Sequence, residues 1–263
     1  MSPHPIATEP GSASLQHPDY WWYRARARLL HAALGAFLGT PRRTLDVGSA
    51  DGPSVDWMGS GHRHVTVDVL PHGLVAGVGV CASALALPFP DDVFDVVSAF
   101  DVLEHCEPEA LAMRELARVL APGGRLLLSV PAYQWAWTDH DATAGHHRRY
   151  TRRQLLRAVR GAGLQPLRVT HAFAAVFPLF VAQRLLGRLR RGRGIPEQRL
   201  PPVSPSLDRV LMTLCHLDET VLRRYNVPFG SSVLVAAVKG GQMSGQPPGT
   251  IGDTTGSTAG STT

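Results

Sequence analysis

The sequence predicts an α/β fold built on a doubly wound, mainly parallel sheet. Between residues 17 and 240, short apolar runs typical of buried strands alternate with helical patterns. Such alternation favours strand–helix–strand units over a sandwich or a helical bundle. The chain has 263 residues, of which 44% are hydrophobic and 18% charged, so one domain can bury a sizeable core.

Six segments carry the strand pattern, each a short apolar run. In chain order they are Thr44–Val47, Val65–Val67, Val93–Phe100, Arg125–Val130, Leu167–Thr170 and Ser232–Val238. Helical patterns fall at Leu111–Leu120, Thr151–Ala162 and Leu207–Tyr225. Residues 172–230 interrupt the alternation between the last two strands. A long excursion there predicts a lid or an acceptor-binding insertion within a domain spanning 17–240.

The two ends of the chain are poor in apolar residues. Residues 1–16 and 241–263 are therefore expected to be disordered. The N-terminal segment lacks the apolar region that a signal peptide requires. The chain has three cysteines, and an odd number cannot all pair in disulfides. We expect a cytoplasmic protein.

A small-residue loop follows the first predicted strand. Gly48 and Gly52 allow a sharp turn and close approach of a ligand to the backbone, and a helix is expected to start near Pro53. A dinucleotide fingerprint would also need glycine at Ala50 and Pro53, so that site is disfavoured. Asp46, two residues before the first glycine, suits a ligand with a cationic amino group.

Asp68 ends the second predicted strand, 20 residues beyond Gly48. An acid at this strand tip can accept hydrogen bonds from both hydroxyls of a ribose. Together the loop and Asp68 predict a ligand that carries a ribose and a cationic amino group.

These residues resemble the cofactor motifs of class I S-adenosylmethionine (SAM)-dependent methyltransferases, in the type 11 group typified by ubiquinone and menaquinone biosynthesis. About 100 residues agree with that family in order and spacing. The matching segments are Asp46–Gly52, Ala84–Asp91, Phe94–Val97, Asp101–His105 and Glu115–Gly124. The resemblance implies a Rossmann-like, seven-stranded sheet with an antiparallel last strand, and SAM as the cofactor.

The resemblance also implies which residues contact SAM. The loop holds the methionyl end, the acid after the second strand holds the ribose, and residues after the fourth strand line the site. The set is Asp46, Gly48, Ser49, Ala50, Gly52, Asp68, Ser83, Phe100 and Asp101. Ser83 departs from the family, which often has Asp there against the adenine amine, so that contact falls to Ser83 or to the backbone.

A polar block, Trp135–Tyr150, follows the fifth predicted strand on the side where ligands bind open α/β sheets. His140 and His146, with Asp141, are the candidate catalytic residues, since imidazole can take a proton from an acceptor hydroxyl. The spacing of these residues and His147 matches no recognised metal pair, so no metal is expected. The alternative is that the block only pins the loop and caps the next helix.

Four aromatic residues, Tyr20–Tyr23, precede the first helical segment. They can fold over the cofactor, where a ring face would attract the sulfonium. They can equally anchor the first helix by hydrophobic packing.

The composition of the predicted insertion, residues 172–230, indicates what kind of methyl acceptor to expect. Phe173, Val176, Phe177 and Phe180 are expected to share one helical face, followed by an arginine cluster within 184–199. An apolar face beside arginines favours peripheral membrane contact through 172–199, or a lipid-linked, phosphate-bearing acceptor. The alternative is an ordinary lid whose apolar face packs on the sheet.

We therefore expect methyl transfer to an O or N of a small-molecule or lipid-linked acceptor. The net charge of +5 raises nucleic acid as another acceptor. Residues 98–103 lack the Asn/Asp-Pro-Pro motif of amino-methylating enzymes of that class, which makes nucleic acid unlikely. A SAM-binding module without catalysis stays open, and the sequence does not indicate an oligomeric state.

Overall fold

The computed structural model describes residues 17, 19–49, 56–59, 63–71, 74, 79–189 and 203–240. Its centre is a seven-stranded sheet with the strand order β3-β2-β1-β4-β5-β7-β6. The strands are β1 (Arg43–Val47), β2 (Arg63–Asp68), β3 (Gly79–Cys81), β4 (Phe94–Phe100), β5 (Leu120–Pro131), β6 (Leu164–Ala172) and β7 (Ser232–Lys239). β7 runs antiparallel to β5 and β6, and the other pairings are parallel, which confirms the predicted fold class.

Helices cover both faces of the sheet. They are α1 (Trp21–Leu34), α2 (Glu109–Val119), α3 (Asp139–Thr143), α4 (Arg152–Gly161), α5 (Phe177–Leu189) and α6 (Pro205–Leu222). The α2 and α4 side forms one core with buried Met113 and Leu155. The α1 and α6 side forms a second core with Leu29 and Leu211. Burial on both faces explains why the central strands read as continuous apolar runs.

The helical insertion after β6 docks on α1 through its second helix. Arg24 donates two hydrogen bonds to Asp208 at 2.6 and 2.7 Å, and Arg28 donates to Glu219 at 2.9 Å. This docking places α6 beside the N-terminal helix, where sequence patterning alone could not assign it.

One predicted helical face is wrong. Phe173 has a φ of 63°, which ends β6 in a turn that a helix cannot follow directly. Phe173 and Val176 are buried ahead of α5, and only Phe177 and Phe180 lie on that helix. Pro178 occupies the first turn of α5, where its missing N–H costs nothing.

The strand β3 was missed because its three residues carry too little pattern. Residues 1–16 and 241–263, where disorder was predicted, lie outside the described residues, as do 190–200 of the arginine cluster. Among the described residues, none of the helices has the length and hydropathy needed to cross a membrane.

Candidate functional site

The strand order reverses direction at the boundary between β1 and β4. The chain passes from β1 outward to β2 and β3, and then returns to β4 on the other side of β1. Ligands of open α/β sheets bind beyond the carboxyl ends of the strands at such a point. We call the ends of β1 and β2 with residues 48–49 the cofactor edge. Residues 101–105 and 132–150, after β4 and β5, form the acceptor edge.

Gly48 turns the chain at the end of β1. Its φ is 76°, and its N–H donates to the Val67 carbonyl at 2.7 Å. A Cβ at this position would lie 2.2 Å from Val102 Cγ2. Both the dihedral and the contact therefore require glycine, as the sequence predicts.

Two carboxylates lie at the cofactor edge. Asp46 is 1% exposed and accepts a hydrogen bond from Ser98 on β4. Asp68 closes β2, and one of its oxygens accepts from the Leu70 N–H at 2.8 Å. The buried Ser49 hydroxyl has no hydrogen-bond partner among the described residues. An acid at each strand tip and an unsatisfied hydroxyl between them fit the amino-acid and ribose ends of SAM.

Of the other residues predicted to contact the cofactor, some lie outside the described residues and others contact the protein itself. Ala50, Gly52 and the helix start at Pro53 lie outside the described residues. The Ser83 hydroxyl accepts from the Leu85 N–H at 3.1 Å and so stabilises the turn after β3. Phe100 is buried on the α1 side of the sheet, so its side chain faces the core.

The backbone adopts a left-handed conformation at the end of three strands. Asp101 follows β4 with a φ of 59°, Tyr133 comes just after β5 with 64°, and Phe173 follows β6 with 63°. Non-glycine residues in this region cost about 1–3 kcal/mol and tend to cluster at functional sites. All three turns lie at the carboxyl edge of the sheet, where the ligands are expected.

Asp101 is held by a buried arginine from α1. Arg26 is 3% exposed, its Nε donates to Asp101 at 2.7 Å, and its Nη2 donates to the Phe100 carbonyl at 3.1 Å. Ser129 donates to the other Asp101 oxygen at 3.1 Å. Sequence reasoning missed Arg26, although an arginine among the apolar residues of an amphipathic helix was an available signal.

Asp141 organises the polar block. It is fully buried, and one of its oxygens accepts from His146 Nδ1 at 2.9 Å and from Arg149 Nε at 2.8 Å. Its other oxygen accepts from the Thr138 N–H at 2.8 Å. Burial alone would raise the pKa of Asp141, but the hydrogen bonds from His146 and Arg149 outweigh it and hold the pKa well below its usual range.

The three predicted catalytic residues therefore occupy different environments. Asp141 is saturated with hydrogen bonds and positions its neighbours. His140 is exposed on α3, whereas His146 is half-buried with Nδ1 bound to Asp141. Because an ionised carboxylate only accepts hydrogen bonds, Nδ1 is the His146 nitrogen that donates to Asp141, and in the neutral ring the lone pair lies on Nε2.

Glu104 and His105 join this block, although sequence reasoning assigned them no role beyond the resemblance. The His147 N–H donates to the Glu104 carbonyl at 2.7 Å, and the His105 and His146 rings meet edge to face at 4.6 Å. Burial raises the pKa of Glu104 well above its usual value, and the Asp101 charge adds to this effect. Burial also lowers the pKa of His105.

An aromatic cluster closes the far side of the acceptor edge. Tyr133 stacks on Trp135 at 5.7 Å and lies 5.5 Å from Phe177 of α5, centroid to centroid. We call this cluster the aromatic wall: Tyr133, Trp135, Phe177, Phe180 and Phe229. Trp135 is 40% exposed and Phe229 46%, so part of the wall remains open to a ligand.

Arg184 of α5 lies beside both the wall and the polar block. Its guanidinium sits 4.8 Å from the centre of the Phe180 ring, and its Nε is buried without a hydrogen-bond partner among the described residues. Burial lowers the pKa of Arg184, and the neighbouring Arg149 charge lowers it further. A partly buried cation next to another arginine favours an anionic ligand.

The N-terminal aromatic residues pack into the fold. Trp22 stacks on Phe173 at 5.9 Å with an interplanar angle of 7°, and Tyr23 is buried edge-on against Trp22 at 5.0 Å. Arg26 lies 5.7 Å from the Trp22 ring. This geometry fits the anchor interpretation for Trp22 and Tyr23.

The chain is similar to the demethylmenaquinone methyltransferase of Mycobacterium bovis, with 31% identity over 154 residues. The alignment covers 56% of this chain and 62% of that relative. The chain thus spans less than two thirds of the length of the curated relative.

Two solved structures share the fold. The [4+2]-cyclase SpnF has a TM-score of 0.55 and 23% identity, with 89% of this chain and 85% of that chain covered. The N-methyltransferase NodS of Bradyrhizobium japonicum, in complex with S-adenosyl-L-homocysteine, has a TM-score of 0.51 and 15% identity, with 85% and 90% covered. At these identities the likeness concerns the fold alone.

A family model described as a methyltransferase domain matches residues 20–169, which is more than half of the chain. The match runs from α1 into β6 and includes the cofactor edge, Asp101–His105 and the polar block. It confirms the predicted resemblance to class I methyltransferases and SAM as their cofactor. The chain belongs to the methyltransferase-domain family.

Proposed function

We propose that the protein transfers a methyl group from SAM to an O or N of a small-molecule or lipid-linked acceptor. The observation that carries this proposal is the meeting of two unlike surfaces beyond β4 and β5. The polar block and the aromatic wall are joined directly, since the Tyr133 N–H donates to the Tyr150 carbonyl at 2.8 Å. Both lie beside the cofactor edge, across the turn at Asp101.

Bound SAM supplies an electrophilic methyl group on a sulfonium whose departure is already favourable. The chain then has to bind the acceptor, align it in line with that methyl group and exclude water. The aromatic wall supplies flat apolar surface for an acceptor ring. The Arg26–Asp101 pair fixes the turn between the two edges, so the acceptor and the cofactor are held at a defined distance.

His146 is the polar side chain best placed to meet the acceptor. Asp141 fixes its ring and its tautomer, which leaves Nε2 to accept a hydrogen bond from an acceptor hydroxyl or amine. Asp141 acts through His146 as a positioning residue. His140 stays a candidate whose exposed ring would have to be covered by the acceptor.

The exposed face of α5 supports an apolar, lipid-linked acceptor. Leu179, Leu185 and Leu186 are 55%, 50% and 52% exposed, although α5 contacts the aromatic wall through Phe177. Exposed leucines beside Arg184 suit an element that contacts an anionic lipid surface. This orientation would let an acceptor enter from the membrane surface toward the polar block.

The proposed reaction is tested with extracts from cells with and without the gene. Purified protein and SAM labelled in the methyl group are incubated with metabolite and lipid fractions from the deletion strain. We expect one fraction to yield a labelled product heavier by one CH₂ unit, with equimolar S-adenosyl-L-homocysteine. SAM binding without product in every fraction would instead favour a SAM-binding module without catalysis.

The membrane version is tested by flotation with anionic vesicles. The protein should float at low salt and be released as salt rises, because arginine contacts with anionic headgroups are screened. A Leu185→Gln, Leu186→Gln double variant should float less, while Leu167→Gln, an exposed leucine on β6, should behave like wild type. A protein that ignores vesicles at every salt concentration contradicts this version and favours a soluble acceptor.

A quinol is the second candidate acceptor. It rests on the similarity to a demethylmenaquinone methyltransferase and on the flat aromatic wall. Demethylmenaquinol supplied in detergent is the direct test, and methylation of its ring carbon would replace the O or N acceptor of the main proposal. Labelled nucleic acid, tested in the same assay, is expected to give no product.

A further inference from the structure

We propose that Glu104, His105 and His146 bind a divalent transition-metal ion at the acceptor edge. One potential ligand atom from each of the three side chains lies within 4.8 Å of the other two. Glu104 and His105 belong to a 3-10 turn after β4, and His146 comes from the loop after α3. The site therefore joins two segments that are 41 residues apart in the chain.

Glu104 supplies the observation that points to a cation. Its side chain is 1% exposed, and both of its carboxyl oxygens lack a hydrogen-bond partner among the described residues. A buried carboxyl group left unpaired costs several times more than a satisfied one, in either protonation state. A metal ion between Glu104 and the two imidazoles would satisfy it.

His146 is prepared as a ligand by its neighbours. Its Nδ1 donates to Asp141, so Nε2 is the nitrogen that remains for a metal. A carboxylate behind a histidine is the usual outer support of such ligands, because it fixes the ring and raises its basicity. Asp141 is in turn neutralised by Arg149, at 2.8 and 2.7 Å from one of its oxygens.

Hydrogen bonds hold the two ligand segments together before any ion binds. The His147 N–H donates to the Glu104 carbonyl at 2.7 Å, and the Tyr150 hydroxyl donates to the Leu103 carbonyl at 3.2 Å. Ligand atoms bonded at about 2.1 Å to one ion lie at most about 4.2 Å apart, so small side-chain rotations complete the site.

The donor set decides which metals fit. Two imidazoles and one carboxylate suit zinc, ferrous iron or manganese, whereas magnesium prefers oxygen ligands and retains its waters. Three protein ligands leave coordination positions open. Asp101, the other acid nearby, is occupied by Arg26 and Ser129 and is not needed as a ligand.

The open positions give the ion a use that rests on the proposed function. With the ion bound, His146 Nε2 acts on the acceptor through the ion and not by a direct hydrogen bond. An acceptor hydroxyl bound there would lose its proton to solvent more readily, and its oxygen would attack the methyl group with S-adenosyl-L-homocysteine as the other product. Metal binding itself does not depend on this use and is measured without an acceptor.

The test is titration of Zn²⁺ into full-length protein that has been stripped with a chelator, followed by calorimetry. We expect one ion per chain, and we expect Mg²⁺ to bind more weakly. Glu104→Gln and His105→Ala should each weaken Zn²⁺ binding by more than tenfold, and Asp141→Asn by about 10–100-fold. His147→Ala, an exposed histidine next to His146, is the matched control and should bind like wild type.

His105→Ala is the more informative variant: part of the His105 side chain reaches the surface, whereas Glu104 is buried, so the loss of His105 disturbs folding less than a change at Glu104. Wild-type protein should also gain thermal stability with added Zn²⁺, and His105→Ala should not. X-ray absorption should show nitrogen or oxygen ligands at about 2.0–2.1 Å and no sulfur at about 2.3 Å, which separates this site from the exposed Cys81.

No Zn²⁺ binding by wild type, equal binding by His105→Ala, or tighter binding of Mg²⁺ would each overturn the metal site. SAM affinity is measured in parallel. Intact metal binding without turnover on any acceptor would contradict the proposed function and leave the metal site standing. Turnover by a protein that binds no metal would contradict the metal site and leave the proposed function standing.

Discussion

The cofactor edge and the acceptor edge lie side by side on one sheet, but they are built in different ways. At the cofactor edge, a tight backbone turn at Gly48, set by the Val67 carbonyl and Val102, lies beside one carboxylate from each of two neighbouring strands. At the acceptor edge, side chains from α1, β4, the loop after β5 and α5 converge through ion pairs and rings.

This difference in construction indicates which edge can change its ligand through single substitutions. A binding site formed by backbone groups tolerates few substitutions at the turn itself, but it does not depend on which side chains surround it. A side-chain constellation can change its ligand by exchanging single residues, as long as the strands beneath it keep their register. The following predictions test whether the two edges can be damaged independently.

The largest effect is expected at Gly48. Gly48→Val places a branched side chain at a positive φ and within 2.2 Å of Val102 Cγ2. We expect SAM affinity in calorimetry to fall at least about 100-fold, because the strained φ and the clash with the Val102 side chain both distort the loop. Gly161→Ala, where a Cβ meets no atom within 4 Å, is the control. A Gly48→Val protein that binds SAM normally would show that the turn at Gly48 is not the cofactor site.

The next largest effect is expected at His146. His146→Ala should lower turnover by about 100-fold or more while SAM affinity changes little, because the proposed role of this side chain is toward the acceptor and not toward SAM. His140→Ala serves as the comparison and should lose less, since its ring is exposed on α3 whereas the His146 ring is fixed by Asp141. Equal rates for both variants and the wild type would mean that the block only supports the loop.

A smaller effect is expected at Asp68. Asp68→Ala removes the carboxylate that we propose accepts from the ribose hydroxyls, together with the Leu70 hydrogen bond. Hydrogen bonds to a charged group contribute about 1.5–3 kcal/mol, so SAM should bind about tenfold more weakly or worse. Asp95→Ala, at a half-buried carboxylate near the other end of β4 that accepts from the Arg42 N–H, should leave SAM affinity intact. If Asp68→Ala binds SAM with unchanged affinity, the ribose must be bound by other residues.

The smallest effect is expected where the insertion docks on α1. Arg24 and Asp208 are 40% and 28% exposed, so their ion pair is largely screened by solvent. Asp208→Asn should lower the free energy of unfolding by no more than about 1 kcal/mol in urea denaturation. A loss above about 2 kcal/mol would show that this contact, and not apolar packing, holds the insertion in place.

The six patterned strands, the helices α2, α4 and α6, and the turn at Gly48 between two acid-bearing strands could all be predicted from the sequence. Each depends on residues close together in the chain: apolar periodicity for the elements, and one turn with its flanking acid for the loop. β3 was not predicted because its three residues are too few to show an apolar periodicity. The helical face assigned to Phe173 and Val176 was wrong because tertiary packing, with Trp22 stacked on Phe173, overrode the local periodicity.

The sequence by itself determined the sheet, the family and the place where the cofactor is expected, since these depend on local backbone geometry and on short apolar runs. Only the tertiary structure decided that Arg26 binds Asp101, that Asp141 is a buried positioning group, and that Glu104 and His105 face His146. The physical reason is chain separation. Side chains 41 or 75 positions apart meet only after the strands have paired, and their burial and charge, which set their chemistry, do not exist before that point.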